Sequence, residues 1–337
     1  MTQYTILDPR KPAALLEACP AYQPSPLDVV DLNGQRILVK DETARMGLGA
    51  FKALGGVYAV AQLISGAVGR NLSADEFQST AVRNAAKAMT FVCASAGNHG
   101  MAVAAGATLF GAKARIHLAD TVPEDFARRL RAKGAEVVRS GASYEDSIAA
   151  AIKDAENTGA IHLADGSWPG YTEPPRLVME GYTVLAEELR RTFEKTGNWP
   201  SHVYLQAGVG GLAAAIASMI RRNWAVQPEI IVVEPDAAPC LGESVRAGRM
   251  TTVEGPVSNM GRLDCKAPSM LAFDILRQTA DHFVTVSDEA AADAVSVASD
   301  LGYHSTPSGV AGLAALLADV PRDRPLIIFS EGAVADA

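Results

Sequence analysis

Cysteine is scarce in this sequence of 337 residues: the four present stand at 19, 93, 240 and 265, and none forms a C-x-x-C pair. Such spacing suggests neither a disulfide framework nor a zinc ribbon. Cys93, inside the apolar run MTFVCAS, reads as a small buried residue. Positive charge is also in deficit, with 30 Lys and Arg against 38 Asp and Glu and a formal net charge of −8. That balance argues against a nucleic-acid partner, because no basic surplus is available for a phosphate backbone. No apolar stretch reaches the ~20 residues of a membrane span, which argues against a membrane partner. The opening MTQYTILDPRKPAALL lacks the basic-then-apolar pattern of a secretory signal. A reducing cytoplasm is the expected location. Internal repeats and low-complexity tracts are missing as well.

What is present is ordinary globular material, 48% hydrophobic and 20% charged, long enough to bury a substantial core. From residue 90 onward, short apolar runs alternate with helical patterns. MTFVCAS, ARIHLAD, AEVVRSG and AIHLADG read as strands; the segments between them read as helices, with capping boxes expected at Thr121–Glu124 and Ser143–Asp146. A similar box, Ser73–Glu76, is expected to start an earlier helix. A second alternating block runs from SHVYLQ through EIIVVEP to PLIIFSEG. Alternation of this kind specifies parallel sheets with crossover helices. The expected architecture is α/β with two open, mostly parallel-sheet units: residues 88–173 form the smaller, and 1–87 with 174–337 form the larger.

Five stretches carry candidate chemistry. GAFKALGGVYA (49–59) sets Lys52 among Phe51, Ala53, Leu54 and two glycines where a helix should begin. An ammonium there costs free energy unless it is paired, neutralised or covalently used, or unless it snorkels to water. QAGVGGLA places Gly208, Val209, Gly210, Gly211 and Leu212 between a strand and a helix, which suits either a tight turn or a phosphate cradle. SAGNHG (95–100) follows a strand in the same way. Ser95, Ala96, Gly97 and Asn98 could hold a carboxylate there, and His99 is structural or a base. Asp165 and Ser330 both end predicted strands, where open α/β sheets bind ligands; each is a turn residue or a working group. The charged run KDET reads as a solvated or structural ion pair. A competing pattern is a dinucleotide fingerprint formed by the 208–211 loop with Glu234 closing the next strand, which would make the chain an NAD-linked oxidoreductase. It leaves Lys52 and SAGNHG unexplained.

Taken in order, AFK, SAGNH, the glycine loop and a serine on the last strand resemble the fold type II (tryptophan synthase β-like) pyridoxal-phosphate enzymes. KDETARMGLGAFKALGG, DGSWPGYTEPPRLVMEGYTVLAEE and SEG resemble the diaminopropionate ammonia-lyases among them. The resemblance implies pyridoxal 5'-phosphate in a cleft between two domains, with Lys52 as its Schiff-base lysine, desolvated so that its pKa falls. It further implies Asn98 beside the ring hydroxyl, residues 208–212 around the phosphate and Ser330 at the pyridine nitrogen. The substrate carboxylate would lie on residues 95–98, and Asp165 would act as an acid–base group. The implied reaction is α,β-elimination from a small amino acid with a polar β-substituent, giving a 2-oxo acid and ammonia, in an enzyme of commonly dimeric kind. The ammonia-lyases carry a second acid where this chain has Ala96, which implies a preference for L-substrates. SAGNH itself resembles the serine/threonine dehydratases, so a β-hydroxy amino acid stays open as the alternative substrate.

Overall fold

The computed structural model describes residues 5–333. Its ten strands among the described residues are β1 (Leu27–Leu32), β2 (Gln35–Asp41), β3 (Thr90–Ala94), β4 (Lys113–Leu118), β5 (Glu136–Arg139), β6 (Ile161–His162), β7 (His202–Gln206), β8 (Glu229–Pro235), β9 (His282–Val286) and β10 (Pro325–Phe329). They form a six-stranded sheet in the order β1-β2-β10-β7-β8-β9 and a four-stranded sheet in the order β5-β4-β3-β6. Every pairing is parallel except β1 with β2. Those two strands join through Asn33 and Gly34, both at positive φ (54° and 83°), the conformation a two-residue hairpin requires. The central strands β7, β8 and β10 are covered on both faces by helices, which explains why their sequences are near-continuous apolar runs.

Three helices pack where the sheets meet: Lys52–Val68, Asn98–Phe110 and Glu173–Thr196. Gly55 and Gly56 make this possible. A Cβ on Gly55 would stand 2.3 Å from the Tyr182 ring, and one on Gly56 would stand 2.5 Å from the Ala102 Cβ. The lysine helix is thereby clamped between its two neighbours, with no room for a methyl group on that side.

Helix starts differ from expectation in two places. Ser73 and Glu76 do hydrogen-bond to each other, but they introduce only a short 3-10 turn; the helix begins at Thr80, capped by Ser79. Thr121 caps nothing, because its hydroxyl faces the Ala142 carbonyl and the helix Glu124–Ala132 starts after Pro123. The Ser143–Asp146 box is fully formed. No helix of the described residues is long and apolar enough to cross a membrane.

KDET proved to be a buried network. Lys40 Nζ donates to Glu188 Oε2 (2.6 Å) and to the Ser25 carbonyl (2.8 Å). Arg45 donates to both oxygens of Glu42 (2.7 Å each) and to both of Glu188 (2.8 Å each). Tyr22 Oη adds a bond of 2.7 Å to Glu188. Two cations meet two carboxylates, every one of them buried.

Candidate active site

The carboxyl ends of four parallel strands supply the loops that hold the candidate residues. Residues 95–98 follow β3, Asp165 follows β6, residues 207–211 follow β7, and Ser330 and Glu331 follow β10. This is the edge at which open α/β sheets accept ligands. Lys52 joins them because the chain entering its helix is tied to the end of β10: the Phe51 amide donates to the Ser330 carbonyl (3.1 Å), and Ala50 bridges Glu331.

Lys52 Nζ forms an ion pair with Asp165, and the two side chains retain 22% and 27% exposure. The amine therefore faces the cleft, not bulk solvent. Its surroundings are the rings of Phe51 and Tyr182, 5.2 and 5.8 Å from Nζ to their centroids. The expected fall in the Lys52 pKa does not occur in this state. Burial does press it downward, but attraction to the Asp165 carboxylate outweighs burial and holds the ammonium above the usual lysine range. For Asp165, burial pushes upward, yet the Lys52 charge wins and leaves its carboxyl below the usual carboxylate range. The Tyr182 hydroxyl, buried against the pair, has no hydrogen-bond partner among the described residues.

The glycine loop lies alongside. Gly210 has φ = 95°, and the helix Gly211–Asn223 begins immediately after it, so its first amides lack intrahelical partners. A Cβ on Gly208 would stand 2.9 Å from Cys265 Sγ, and one on Gly211 would stand 3.7 Å from the Tyr182 ring. Gly166, next to Asp165, approaches Val209. Tyr182 and Gly166 thus join the Lys52–Asp165 pair to the 208–211 turn, and Leu212 is buried behind it.

On the opposite side, Asn98 opens the helix Asn98–Phe110 and donates its side-chain amide to Glu331. Ser95 Oγ accepts from the Gly97 amide (3.3 Å). Ala96 carries no polar group and packs on the core. His99 is buried, its Nε2 bonded to the Leu163 carbonyl (2.7 Å), and burial lowers its pKa; that is the structural role. Ser330 Oγ accepts from Gln206 Nε2 (3.1 Å) in a buried position, which leaves the hydroxyl proton free for a further acceptor. The dinucleotide alternative fails on geometry. Both oxygens of Glu234 are occupied by the amides of Leu241 (2.7 Å) and Gly242 (2.8 Å) in a buried position, so neither is open to a ribose.

Four contributors escaped sequence reasoning: Tyr182, Gln206, Arg262 and Glu331. Only Glu331 carried a signal, as the middle of SEG directly after Ser330.

Residues 19–331 match a protein family described as pyridoxal-phosphate dependent enzyme. The chain belongs to that family. Diaminopropionate ammonia-lyase of Escherichia coli K12 is 34% identical over 310 residues, covering 88% of this chain and 77% of the relative. L-threonine ammonia-lyase of Geobacter sulfurreducens is 31% identical over 60% of this chain and 48% of its own length. The crystal structure of the Escherichia coli diaminopropionate ammonia-lyase in complex with D-serine superposes with a TM-score of 0.85, at 29% identity, covering 96% of this chain and 88% of that one.

A pyridoxal-phosphate enzyme needs an amine for the cofactor's carbonyl, an anion cradle for its phosphate and partners for its ring, and the residues here fit each demand. Lys52 would supply the amine, part-buried beside Asp165. The amides starting the Gly211 helix, on a loop too tight for a side chain at 208, would supply the cradle. Ser330 and Asn98 bring a hydroxyl and an amide to the same cleft.

Proposed function

We propose that this chain is a pyridoxal-phosphate ammonia-lyase that removes a polar β-substituent from a small L-amino acid, of the diaminopropionate ammonia-lyase type. The observation that carries the reading is the Lys52–Asp165 pair, half-open to a cleft and flanked by the glycine loop. The bound cofactor supplies a carbonyl for amines and an electron sink for the pair of electrons left at the substrate's Cα. Lys52 would hold the cofactor through its amine and, as the free amine, would take the α-proton on Nζ. Asp165 holds the amine in place, draws a proton away from it and returns one to the departing group, so that the leaving group exits neutral. Residues 95–98 orient the substrate carboxylate with the loop amides and Ser95. Residues 208–212 fix the phosphate. Ser330, oriented by Gln206, would meet the ring nitrogen with a neutral hydroxyl, which leaves the ring unprotonated and the cofactor a weaker electron sink, suited to elimination. Residues 88–173 serve as the smaller of two domains in this reading, 1–87 with 174–337 as the larger, and a homodimer is the assembly proposed.

A second reading, dehydration of a β-hydroxy amino acid, is favoured by Ala96, which brings no carboxylate to attract a β-ammonium. Ammonia and 2-oxo acid release from L- and D-2,3-diaminopropionate, serine, threonine and 3-hydroxyaspartate tests both. Release from L-isomers with D-isomers much slower is expected. No release from any of them defeats the proposal.

A further inference from the structure

Arg262 is part of the cleft, yet neither the anchoring of the cofactor nor the elimination uses it. Its backbone is fixed on the large-sheet side, where its amide donates to Ser308 Oγ (3.1 Å). Its carbonyl oxygen lies 3.1 Å from where a Cβ on Gly208 would stand. The side chain reaches toward the loop of the other sheet. Nε is 3.6 Å from Glu331 Oε2, and Nη1 is 3.0 Å from the position a Cβ would take on Gly97. Glu331 is itself held by Thr306 Oγ1 and by the Asn98 amide. Nε therefore faces a carboxylate at ion-pair distance, just beyond hydrogen-bond reach. Nη1 lies over Gly97, neither Nη1 nor Nη2 has a hydrogen-bond acceptor among the described residues, and the side chain keeps 35% exposure.

The charge that a substrate meets beside residues 95–98 is set by this fork. Ala96 contributes none, and Asp165 is committed to Lys52. The α-carboxylate is already served by the loop amides and Ser95, which leaves the guanidinium for another group. Two parallel N–H donors match a carboxylate in geometry as well as in sign, whereas a β-ammonium would be repelled.

We infer that Arg262 binds a second anionic group of the substrate and so selects β-substituted amino acids carrying a further carboxylate. The inference rests on the lyase reading above and, within it, ranks dicarboxylic β-hydroxy amino acids above 2,3-diaminopropionate. 3-Hydroxyaspartate and L-serine share a hydroxyl leaving group and differ by that carboxylate, so the ratio of their kcat/KM values isolates it. The wild-type ratio should favour 3-hydroxyaspartate, and Arg262→Ala should lower it by about 10- to 100-fold, the range for a hydrogen bond to a charged group. Arg262→Lys should fall between. Binding gives a second readout without turnover: L-aspartate should perturb the holoenzyme's visible absorption at lower concentration than L-alanine, and Arg262→Ala should erase that difference. An unchanged ratio, or equal losses on both substrates, overturns the inference and assigns Arg262 to the α-carboxylate or to the fold. Release of ammonia by the wild type from L-2,3-diaminopropionate but from neither of these two substrates overturns the inference and leaves the lyase reading standing; release from no substrate of the panel breaks the lyase reading instead.

Discussion

Two clusters of opposite charges lie within this molecule, and they are built to different ends. Around Arg45, each cation is matched to a carboxylate, the ions are removed from water, and the shell is completed by donors from Tyr22 and the Ser25 amide and by acceptors at Ser25 Oγ and the Gln23 carbonyl. Around Lys52 the charges balance too, but the pair stays part-exposed, the Tyr182 hydroxyl beside it has no partner among the described residues, and the Arg262 side chain keeps 35% exposure. A closed cluster defines position: it ties β2 and the segment leading to Lys52 onto the long helix Glu173–Thr196. An open cluster keeps capacity for a guest. Buried charge alone therefore does not mark a functional site; unspent hydrogen-bonding capacity beside it does.

Breaking the closed cluster should cost the most in stability. Arg45→Met leaves the buried Glu42 carboxylate without a cation and Glu188 with Lys40 alone, so a loss of about 3–5 kcal/mol is expected in denaturant unfolding; a change below about 1 kcal/mol would show that the network is looser than its geometry. Breaking the open cluster should instead cost activity. Asp165→Asn is expected to lower turnover by about 10²-fold or more, the range for a positioned acid–base group, with wild-type turnover demoting Asp165 to a turn residue.

The same variant sharpens the electrostatics. Asp165 sits below its ordinary value in the folded protein, so its stabilising contribution is present above about pH 3.9 and fades as pH falls through the folded value. Lys52 sits above its ordinary value, so its contribution is present below about pH 10.4 and is lost as pH rises through the folded value. Together they stabilise the apoprotein across the neutral range. With Asn at 165, burial becomes the main influence on Lys52, and the pH profile for acylation of its amine in the apoprotein should shift to lower pH. A profile that does not move would contradict the assigned coupling. The smallest effect is expected from Ser330→Ala, a few-fold change in turnover corresponding to one hydrogen bond of about 1 kcal/mol, with the visible absorption of the holoenzyme reporting whether the ring nitrogen has lost its partner.

Legibility in the sequence followed the range of the interactions. The strands of both parallel sheets showed as apolar runs because burial on two faces dictates their composition at each position. Lys52, the 208–212 loop and Asp165 were readable because each sits at a strand or helix end whose local pattern announces it. The hairpin of β1 and β2 has its signal in Asn33-Gly34, but LDVVDL sets Asp28 and Asp31 around Val29-Val30 on a half-exposed edge, so β1 lacks the apolar run that marks the buried strands. Thr121–Glu124 had the right letters for a cap but Pro123 redirected the chain. The protonation of Lys52 was misread, since sequence spacing shows a lysine in apolar company but not a carboxylate 113 residues away. Glu331 and Asn98 are 233 residues apart, and Arg262 reaches Gly97 across two sheets; no local pattern encodes such meetings.

The central claim is that one amine, at the start of the helix following Ala50 and Phe51, carries the cofactor. Borohydride reduction of the holoprotein, followed by digestion and mass spectrometry of the peptides, tests it most directly. The account predicts a reduced pyridoxyl-phosphate adduct on Lys52, with loss of the visible absorption band. An adduct on a different lysine, with Lys52 unmodified, would contradict it.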